Sequence, residues 1–502
     1  MINRPEPFPD LDWSPERARA LGDAALEMYE EFLKRLPDLP VDRGRSAVEV
    51  SEAVHLDVPS EGMDDADLLE YLRRLVFDYS MYPGHPGFLA YIVGGGTVPG
   101  AIADLVAAGI NQNVGGWRLS PGATEIELHL VRFFADRFGL PAEAGGMLVS
   151  GGSVANFIGL KAARDAKSAT NARTRGLNAG PQLVAYTSRE VHFATTRAAD
   201  MVGIGTDNVR LIPVDDHYRL DVEVLERRIE DDLAAGLQPF CVVASLGTVA
   251  TGAIDPLEMI AELCARHGLW MHVDAAYGGP VVLADELRSL AAGVERADSI
   301  AFDPHKWLYT PQSGGCLLVR DIAHLAESFS ADAGIVYEDK ELTGRGIDLG
   351  MLGPQLSRSF WALKVWVSLL AHGTDAYGRR IAHDVALTRY LADRIEASDA
   401  FELAAPVGLS ICCWRYVPPD LGDGDGREKY LDLLNERIMA AVQMDGRVYY
   451  SNAILGERFV LRTCIVNFRT EAEHLDQVLE VTEELGAKLD AELRPPGLRA
   501  PA

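Results

Sequence analysis

Hydrophobic and polar positions divide the chain into three regions with different patterns. Residues 1–98 contain amphipathic helical stretches without strand-like runs, which predicts an N-terminal helical segment. Within residues 99–373, short β-branched runs alternate with helical stretches, the pattern of β-α units around a mostly parallel sheet. Residues 374–502 are first helical and then carry two strand-like runs before a last amphipathic helix. We therefore expect a large α/β domain followed by a small α+β domain.

The N-terminal segment begins with a helix predicted over residues 12–36. Ser14 is the candidate N-cap, and Pro15 takes the first helical position, where an N–H group is not needed. A further helix is predicted near residues 64–78. Because this segment has no strand of its own, we interpret it as an extension that packs on another surface, and a partner subunit is one candidate.

One β-α unit of the central region is especially clear. Residues 238–246 predict an apolar strand, Asp255 is the candidate cap of the helix that follows, and Gly268 ends that helix. The next strand, predicted over residues 269–273, brings Asp274 to its carboxyl end. Ligands of open α/β sheets bind at that end, so Asp274 is a candidate binding residue.

Composition and charge narrow the range of partners. Of 502 residues, 48% are apolar and 24% charged, and the net charge of −27 disfavours binding to nucleic acid. The N-terminus lacks a basic stretch followed by an apolar one, and no long apolar window occurs, so we expect a cytoplasmic protein without membrane spans. The six cysteines lack metal-ligand spacing, and we expect buried thiols and no metal site.

Lys306 and Asp274 together point to one cofactor. Lys306 stands in the run Asp-Pro-His-Lys-Trp-Leu, and Asp274 lies 32 positions before it. A lysine amine can hold an aldehyde as a Schiff base, and a carboxylate at the end of a buried strand can keep a pyridine nitrogen protonated. Either residue alone is a weak signal, but the pair predicts a site for pyridoxal 5'-phosphate.

Other candidate residues follow neighbouring strands. The run Ser150-Gly151-Gly152-Ser153 offers N–H groups and a hydroxyl to a phosphate, although a plain turn with an N-cap explains the same pattern. His192 could stack on the cofactor ring or be a packed histidine. Ser245 offers a hydroxyl or ends a plain turn. His305, next to the lysine, could donate to the phosphate.

Several ordered runs resemble those of a known family. They are His85-Pro86-Gly87-Phe88, Ser120-Pro121-Gly122-Ala123-Thr124-Glu125-Ile126-Glu127, Ser150-Gly151-Gly152-Ser153, His272-Val273-Asp274-Ala275-Ala276-Tyr277, Asp303-Pro304-His305-Lys306-Trp307-Leu308 and Ala362-Leu363-Lys364-Val365-Trp366. The chain resembles the pyridoxal phosphate-dependent group II amino acid decarboxylases, in particular the aromatic L-amino acid decarboxylases, from about residue 13 to residue 486.

The resemblance implies a fold type I homodimer with an active site shared between subunits. The N-terminal segment would be swapped between subunits, and helices would cover both faces of the central sheet. Lys306 would form the Schiff base, Asp274 would bind the pyridine nitrogen, and His192 would stack on the ring. The implied cofactor contacts are Lys306, Asp274, Ala276, His192, Gly152, Ser153, Ser245 and His305.

Tyr337 is the residue from which the resemblance predicts the product. Family decarboxylases carry a tyrosine on a mobile loop of the partner subunit, and the distance from Tyr337 to Lys364, 27 residues, matches that position. A phenol there can protonate the substrate carbon after carbon dioxide leaves, so the product is an amine. Related aldehyde synthases replace this tyrosine with an apolar ring. An exposed loop tyrosine is the plain alternative.

Tyr91, Ile92 and Trp117 resemble the substrate pocket of the family. Their apolar character favours an aromatic amino acid such as tyrosine, dopa, tryptophan or phenylalanine. An acidic substrate would need a well-placed arginine, and Arg118 is close in sequence. Decarboxylation of glutamate, aspartate or cysteine sulfinate therefore stays an alternative, as does an aromatic aldehyde synthase.

Two positions depart from the family pattern. Val154 stands where relatives commonly have an acidic residue, and Ser359 follows Arg358 where relatives often have a second arginine. Either change could alter phosphate geometry or substrate choice. A cofactor-binding regulator without catalysis is the alternative from another class, but the acidic N-terminal segment offers no basic DNA-binding module.

Overall fold

The computed structural model describes residues 11–330 and 346–498, and elements are numbered over these residues. The helices are α1 (Pro15–Arg35), α2 (Ala47–Val54), α3 (Asp65–Asp78), α4 (Val98–Ile110), α5 (Pro121–Arg137), α6 (Gly152–Lys167), α7 (Ala172–Arg175), α8 (Ala194–Met201), α9 (Val222–Ala234), α10 (Leu257–His267), α11 (Ala323–Phe329), α12 (Trp361–His372), α13 (Thr374–Glu396), α14 (Arg427–Asp445) and α15 (Ala472–Leu493). The strands are β1 (Gly145–Val149), β2 (Leu183–Ser188), β3 (Val209–Ile212), β4 (Gln238–Ser245), β5 (Trp270–Asp274), β6 (Ser299–Phe302), β7 (Gly315–Val319), β8 (Phe401–Leu403), β9 (Ile411–Tyr416), β10 (Ser451–Leu455) and β11 (Arg458–Cys464).

The central sheet has seven strands in the order β1-β7-β6-β5-β4-β2-β3. Strands β3, β2, β4, β5 and β6 pair in parallel, whereas β7 is antiparallel to both of its neighbours. Every residue of β5 is buried, so both faces of the sheet are covered there. The predicted α/β class with a mostly parallel sheet is confirmed. The reversed direction of β7 could not be predicted, because an apolar run does not encode strand direction.

The β4-α10-β5 unit forms as expected, with one correction. Gly268 ends α10 in the left-handed conformation, with φ of 66°. The cap prediction for Asp255 is wrong, because Pro256 occupies the N-cap of α10. The buried carboxylate of Asp255 instead accepts the backbone N–H groups of Leu220 and Ser245, each at 2.8 Å. Without Asp255, those two N–H groups would be buried without hydrogen-bond partners. Pairing them therefore takes precedence over capping α10.

The C-terminal region contains a second sheet of four antiparallel strands in the order β10-β11-β9-β8. Helices α14 and α15 pack on each other, and α14 also packs on β11. Trp414 and Tyr450 lie in the apolar core of this region, with ring centroids 5.6 Å apart. The expected small α+β region is therefore present.

Near the N-terminus, α1 and α3 pack on each other around Phe77 and Tyr82. Ser14 caps α1 as predicted, since its Oγ accepts the N–H of Arg17 at 3.2 Å. No residue of α1 is buried by the described part of the chain. The domain boundaries at residues 98 and 373, and the swap of the first segment, stay predictions.

All six cysteines are buried with free thiols, which confirms the prediction for them. Over residues 11–330 and 346–498, no helix has the length and apolar character needed to cross a bilayer. Nor do the described residues contain a cluster of His, Cys, Asp and Glu that could hold a metal ion.

Candidate active site

A cavity of about 740 Å³ opens at the carboxyl ends of the parallel strands. The loops after β1, β2, β4, β5 and β6 line it, together with residues 91–93 and parts of β10 and β11. The candidate residues that meet there are Tyr91, Ile92, Gly152, Ser153, His192, Ser245, Asp274, Ala276, His305 and Lys306. Parallel strand ends share one edge of the sheet, which is why residues far apart in sequence converge.

Lys306 lies in the turn that follows β6, and its Nζ is 3.0 Å from Oδ2 of Asp303. The other oxygen of Asp303 is buried and has no hydrogen-bond partner among the described residues. A Cβ at Gly152 would lie 2.7 Å from Oδ2 of Asp303, so α6 can approach this carboxylate only through a glycine. The lysine amine therefore borders the cavity beside a buried carboxylate.

Asp274 is the last residue of β5 and is 8% exposed. Its Oδ1 accepts the N–H of Ala276, and its Oδ2 accepts the side-chain N–H of Asn156, each at 3.1 Å. Burial raises the pKa of Asp274, and the Lys306 ammonium opposes that rise. A buried carboxylate supplied with donors is suited to bind a protonated nitrogen.

The turn from β1 into α6 forms one wall of the cavity. It packs tightly on β7, because a Cβ at Gly315 would lie 2.6 Å from the carbonyl carbon of Gly151. The exposed Ser153 stands in the first turn of α6, whose free N–H groups border the same cavity. A helix N-terminus with free N–H groups binds anions such as phosphate.

Two histidines at the cavity have defined hydrogen bonds. Nδ1 of His192 accepts the backbone N–H of Ala194 at 3.2 Å, so Nε2 carries the proton of the neutral ring. Burial lowers the pKa of His192, and Asp274 opposes that shift. Nδ1 of His305 lies 2.5 Å from the carbonyl oxygen of Gly314.

Two predicted site residues lie elsewhere or cannot be placed. Trp117 does not border the cavity that the described residues form. Its indole donates to Glu125 at 2.8 Å, and a Cβ at Gly346 would touch the ring at 2.8 Å. Tyr337 lies outside the described residues.

Arg462, on β11, is a site residue that was not predicted. It is 3% exposed, and its Nη1 donates to the carbonyl of Tyr91 at 2.9 Å. Its Nη2 is buried and finds no partner in residues 11–330 or 346–498. The only sequence signal was an arginine inside an apolar strand. Arg462 lines the cavity, and a guanidinium there is a candidate partner for a carboxylate.

The donors and acceptors of this cavity fit pyridoxal phosphate. The start of α6 suits a phosphate, the Lys306 amine suits an aldehyde, and the Asp274 carboxylate suits a protonated pyridine nitrogen. Aromatic and small neighbours, His192 and Ala276, border the same space and suit the faces of a flat ring.

Comparison with known sequences identifies the family. Residues 49–417 match the pyridoxal-dependent decarboxylase conserved domain. The chain is 32% identical to aromatic-L-amino-acid decarboxylase of Bacillus atrophaeus over 470 residues. The matched region covers 94% of this chain and 95% of that protein. Cysteine sulfinic acid decarboxylase of Mus musculus is 35% identical over 376 residues, covering 74% of this chain and 75% of that one.

Solved structures are similar over nearly the whole chain. The structure of Oryza sativa TDC with PLP and tryptamine has a TM-score of 0.90 and 27% identity, and covers 96% of this chain and 100% of that one. The structure of mouse CSAD in apo form has a TM-score of 0.88 and 29% identity, and covers 94% of this chain and 99% of that one. Pyridoxal phosphate is the cofactor, and the chain belongs to the pyridoxal-dependent decarboxylases, enzymes that remove the carboxylate of an amino acid.

Proposed function

We propose that this decarboxylase converts an aromatic L-amino acid to the amine and carbon dioxide. The observation that carries the proposal is the aromatic and apolar wall of the cavity, where Tyr91 stands beside Ile92 and Val93. Tyr91 is 53% exposed and has φ of 54°, a conformation that tyrosine adopts only where its surroundings hold it. Aromatic substrates pack well on such a surface. Similarity to the Bacillus aromatic decarboxylase adds support.

In this proposal, Lys306 holds the cofactor covalently and Asp274 keeps its pyridine nitrogen protonated. When bound, pyridoxal phosphate accepts the electrons released as the carboxylate departs. The protein orients that carboxylate and excludes water from the cavity. The further proposed cofactor contacts are His192, Ala276, Gly152, Ser153, Ser245 and His305.

We assign the final proton transfer to Tyr337. Its phenol would protonate the α-carbon of the substrate after carbon dioxide leaves, and the product would then be an amine. The support is the family resemblance and the 27-residue spacing to Lys364. In the same proposal this tyrosine enters the active site of the partner subunit, where Trp117 would also contribute to the substrate pocket.

An acidic substrate is the second candidate, and Arg462 is the observation that favours it. Its Nη2, which has no hydrogen-bond partner among the described residues, would bind the side-chain carboxylate or sulfinate of such a substrate. Similarity to mouse cysteine sulfinic acid decarboxylase supports the same candidate. The aromatic substrate is preferred because Nη1 and Nε of Arg462 already donate to the backbone carbonyls of Tyr91 and Val249, which gives this guanidinium a structural role.

The deciding experiment incubates the purified, cofactor-loaded enzyme with all protein amino acids plus dopa and cysteine sulfinate, and identifies products by mass spectrometry. We expect tyramine, tryptamine, dopamine or phenethylamine. Hypotaurine, γ-aminobutyrate or β-alanine as the main product would overturn the aromatic assignment and favour the acidic one.

Tyr337→Phe is assayed beside the wild type in that experiment. We expect the variant to lose amine formation by roughly 10²- to 10⁴-fold and, with dissolved oxygen as the oxidant, to shift toward aldehyde, ammonia and hydrogen peroxide. An unchanged amine yield would contradict the role of Tyr337 while leaving the substrate assignment intact.

We also propose a homodimer, and the apolar face of α4 supports it. Val98, Ile102, Leu105, Val106 and Ile110 lie on one side of this helix and are each 40–61% exposed. An apolar stripe of this kind marks an interaction surface, and a second copy of the chain is the proposed occupant. A cytoplasmic location is part of the proposal, because the six buried thiols fit a reducing compartment.

A further inference from the structure

Next to Asp274, four buried side chains are linked in series by hydrogen bonds and form what we call the hydrogen-bonded chain: Asn156, His272, Ser299 and Trp270. The indole of Trp270 is 2.8 Å from Oγ of Ser299, which is 2.7 Å from Nδ1 of His272. Nε2 of His272 is 2.7 Å from Oδ1 of Asn156, whose Nδ2 is 3.1 Å from Oδ2 of Asp274. Trp270, His272 and Asp274 are alternate residues of β5, so they share one face of the strand.

The two ends of this chain fix the direction of every hydrogen bond. An indole can only donate, so Ser299 accepts from Trp270 and keeps its own O–H for His272. A backbone carbonyl can only accept, so the hydrogen bond from Asn156 to the carbonyl of Gly152 fixes its NH₂ group on the side of Asp274 and its oxygen toward His272. His272 must then accept at Nδ1 and donate from Nε2. Burial lowers the pKa of His272 to about 4, which agrees with this neutral ring at neutral pH.

Helix α6 packs directly on this hydrogen-bonded chain. A Cβ at Gly159 would lie 2.7 Å from Cε1 of His272, so only glycine lets the helix lie against the imidazole. Asn156, one turn earlier on the same face, also donates to the carbonyl of Gly152 at 3.0 Å. The amide of Asn156 is thus held from both sides.

We propose that Trp270, Ser299, His272 and Asn156 are positioning residues that keep Asp274 ionised and directed toward the pyridine nitrogen of the cofactor. A reversed Asn156 amide would place its oxygen against the carboxylate, and the donor of His272 prevents that reversal. The charged and titratable groups that face Asp274 from other elements are Lys306, Asp303 and His192. The inference rests on the proposed role of Asp274 and adds the means by which β5, β6 and α6 maintain it.

The test uses Asn156→Ala, His272→Leu and His272→Gln, of which only the last keeps a donor near the position of Nε2. Each apoenzyme is titrated with pyridoxal phosphate, and the absorption spectrum of the loaded protein is recorded against pH without substrate. We expect Asn156→Ala and His272→Leu to weaken cofactor binding by about tenfold or more and to move the pH of the spectral change. His272→Gln is expected to recover most of both.

Tyr186→Phe is the matched control. It removes another buried hydrogen bond of the same sheet, from Tyr186 to Asp232 at 2.9 Å, outside the cavity. It should lower the melting temperature of the apoenzyme without changing cofactor affinity or spectrum. If Asn156→Ala and His272→Leu behave like this control, the hydrogen-bonded chain is merely structural and the proposal is overturned.

The variant Asp274→Asn tests the proposed role of Asp274 separately from the role of the four positioning residues. If that variant binds cofactor with unchanged affinity and spectrum, the role of Asp274 fails and the positioning role fails with it. If Asp274→Asn has a large effect while Asn156→Ala and His272→Leu have none, only the positioning role is wrong. Substrate identity does not enter any of these measurements.

Discussion

Single buried residues give this protein opposing pH dependences. Burial lowers the pKa of His272 to about 4 and raises the pKa of Asp255 and of Asp384 to about 6. The histidine therefore resists protonation in the folded state, whereas the two carboxyl groups accept protons more readily there. Their contributions to stability change in opposite senses across the same acidic range.

The contribution of His272 to the stability of the folded state is fully present above the ordinary histidine pKa of 6.5. It is lost as the pH falls toward about 4, because only the unfolded chain takes up the proton in that interval. The full loss corresponds to about 3 kcal/mol. Urea denaturation of the apoenzyme, with wild type beside His272→Gln, measures it. We expect the stability difference between the two proteins to shrink as the medium is acidified from about pH 7 to about pH 4.5.

The comparison with His272→Gln is required because Asp255 and Asp384 contribute stability that is lost as the pH rises through about 6. Both proteins share those carboxyl groups, so their effect cancels in the difference. A difference that stays constant over the pH range would contradict the neutral state of His272.

At the scale of secondary-structure elements, the buried ion pair of Glu127 and Arg358 connects α5 with β1. Both side chains are 0% exposed, and Nη2 of Arg358 is 2.5 Å from Oε1 of Glu127. Arg358 also donates to the carbonyls of Leu148 and Val114, while Glu127 accepts the N–H of Leu148 at 2.8 Å. Because β1 leads directly into the start of α6, this pair supports the proposed phosphate-binding turn. The neighbouring Ser359 is exposed and takes no part in it.

Arg358→Met should lower the free energy of unfolding by about 3–5 kcal/mol, since it leaves the carboxylate of Glu127 buried without its cation. Denaturant titration checks this value. The double variant with Glu127→Gln should recover part of the loss. Arg19→Ala, which breaks an exposed pair with Asp23, should leave stability nearly unchanged. Equal effects of Arg358→Met and Arg19→Ala would refute the importance of the buried pair.

At the scale of the whole molecule, the proposed dimer joins the active sites of two subunits. Leu105→Asp would place a charge in the apolar face of α4, where Leu105 is 61% exposed. We expect the mass measured by light scattering to fall toward 54.6 kDa, the mass of one chain. Activity should fall with it, because Tyr337 would no longer reach the partner's site.

Leu233→Asp is the control for that experiment. Leu233 is an exposed leucine on α9, 49% accessible, and lies outside the proposed interface. It should leave mass and activity unchanged. If Leu105→Asp keeps the wild-type mass, α4 is not the dimer interface.

The amino-acid sequence by itself determined the fold class and the cofactor, and its resemblance to a known family indicated the kind of reaction. β-α units have a local pattern, and the runs around Lys306 and Asp274 carry their chemistry within a few residues. The shared edge of parallel strands then predicts that these two residues meet, and the structure brings both to one cavity. The roles assigned to them stay predictions, and Tyr337 lies beyond the described residues.

Only the tertiary structure decided which other side chains surround this chemistry. Arg462 reaches Tyr91 across 371 residues of sequence, and Asn156 reaches His272 across 116. Asp255 serves distant backbone donors instead of its own helix. Such contacts depend on how helices and sheets pack, whereas hydrophobic periodicity reports only which face of each element is buried. Residue type in the sequence shows which bonds a side chain can make, and packing selects the ones it does make.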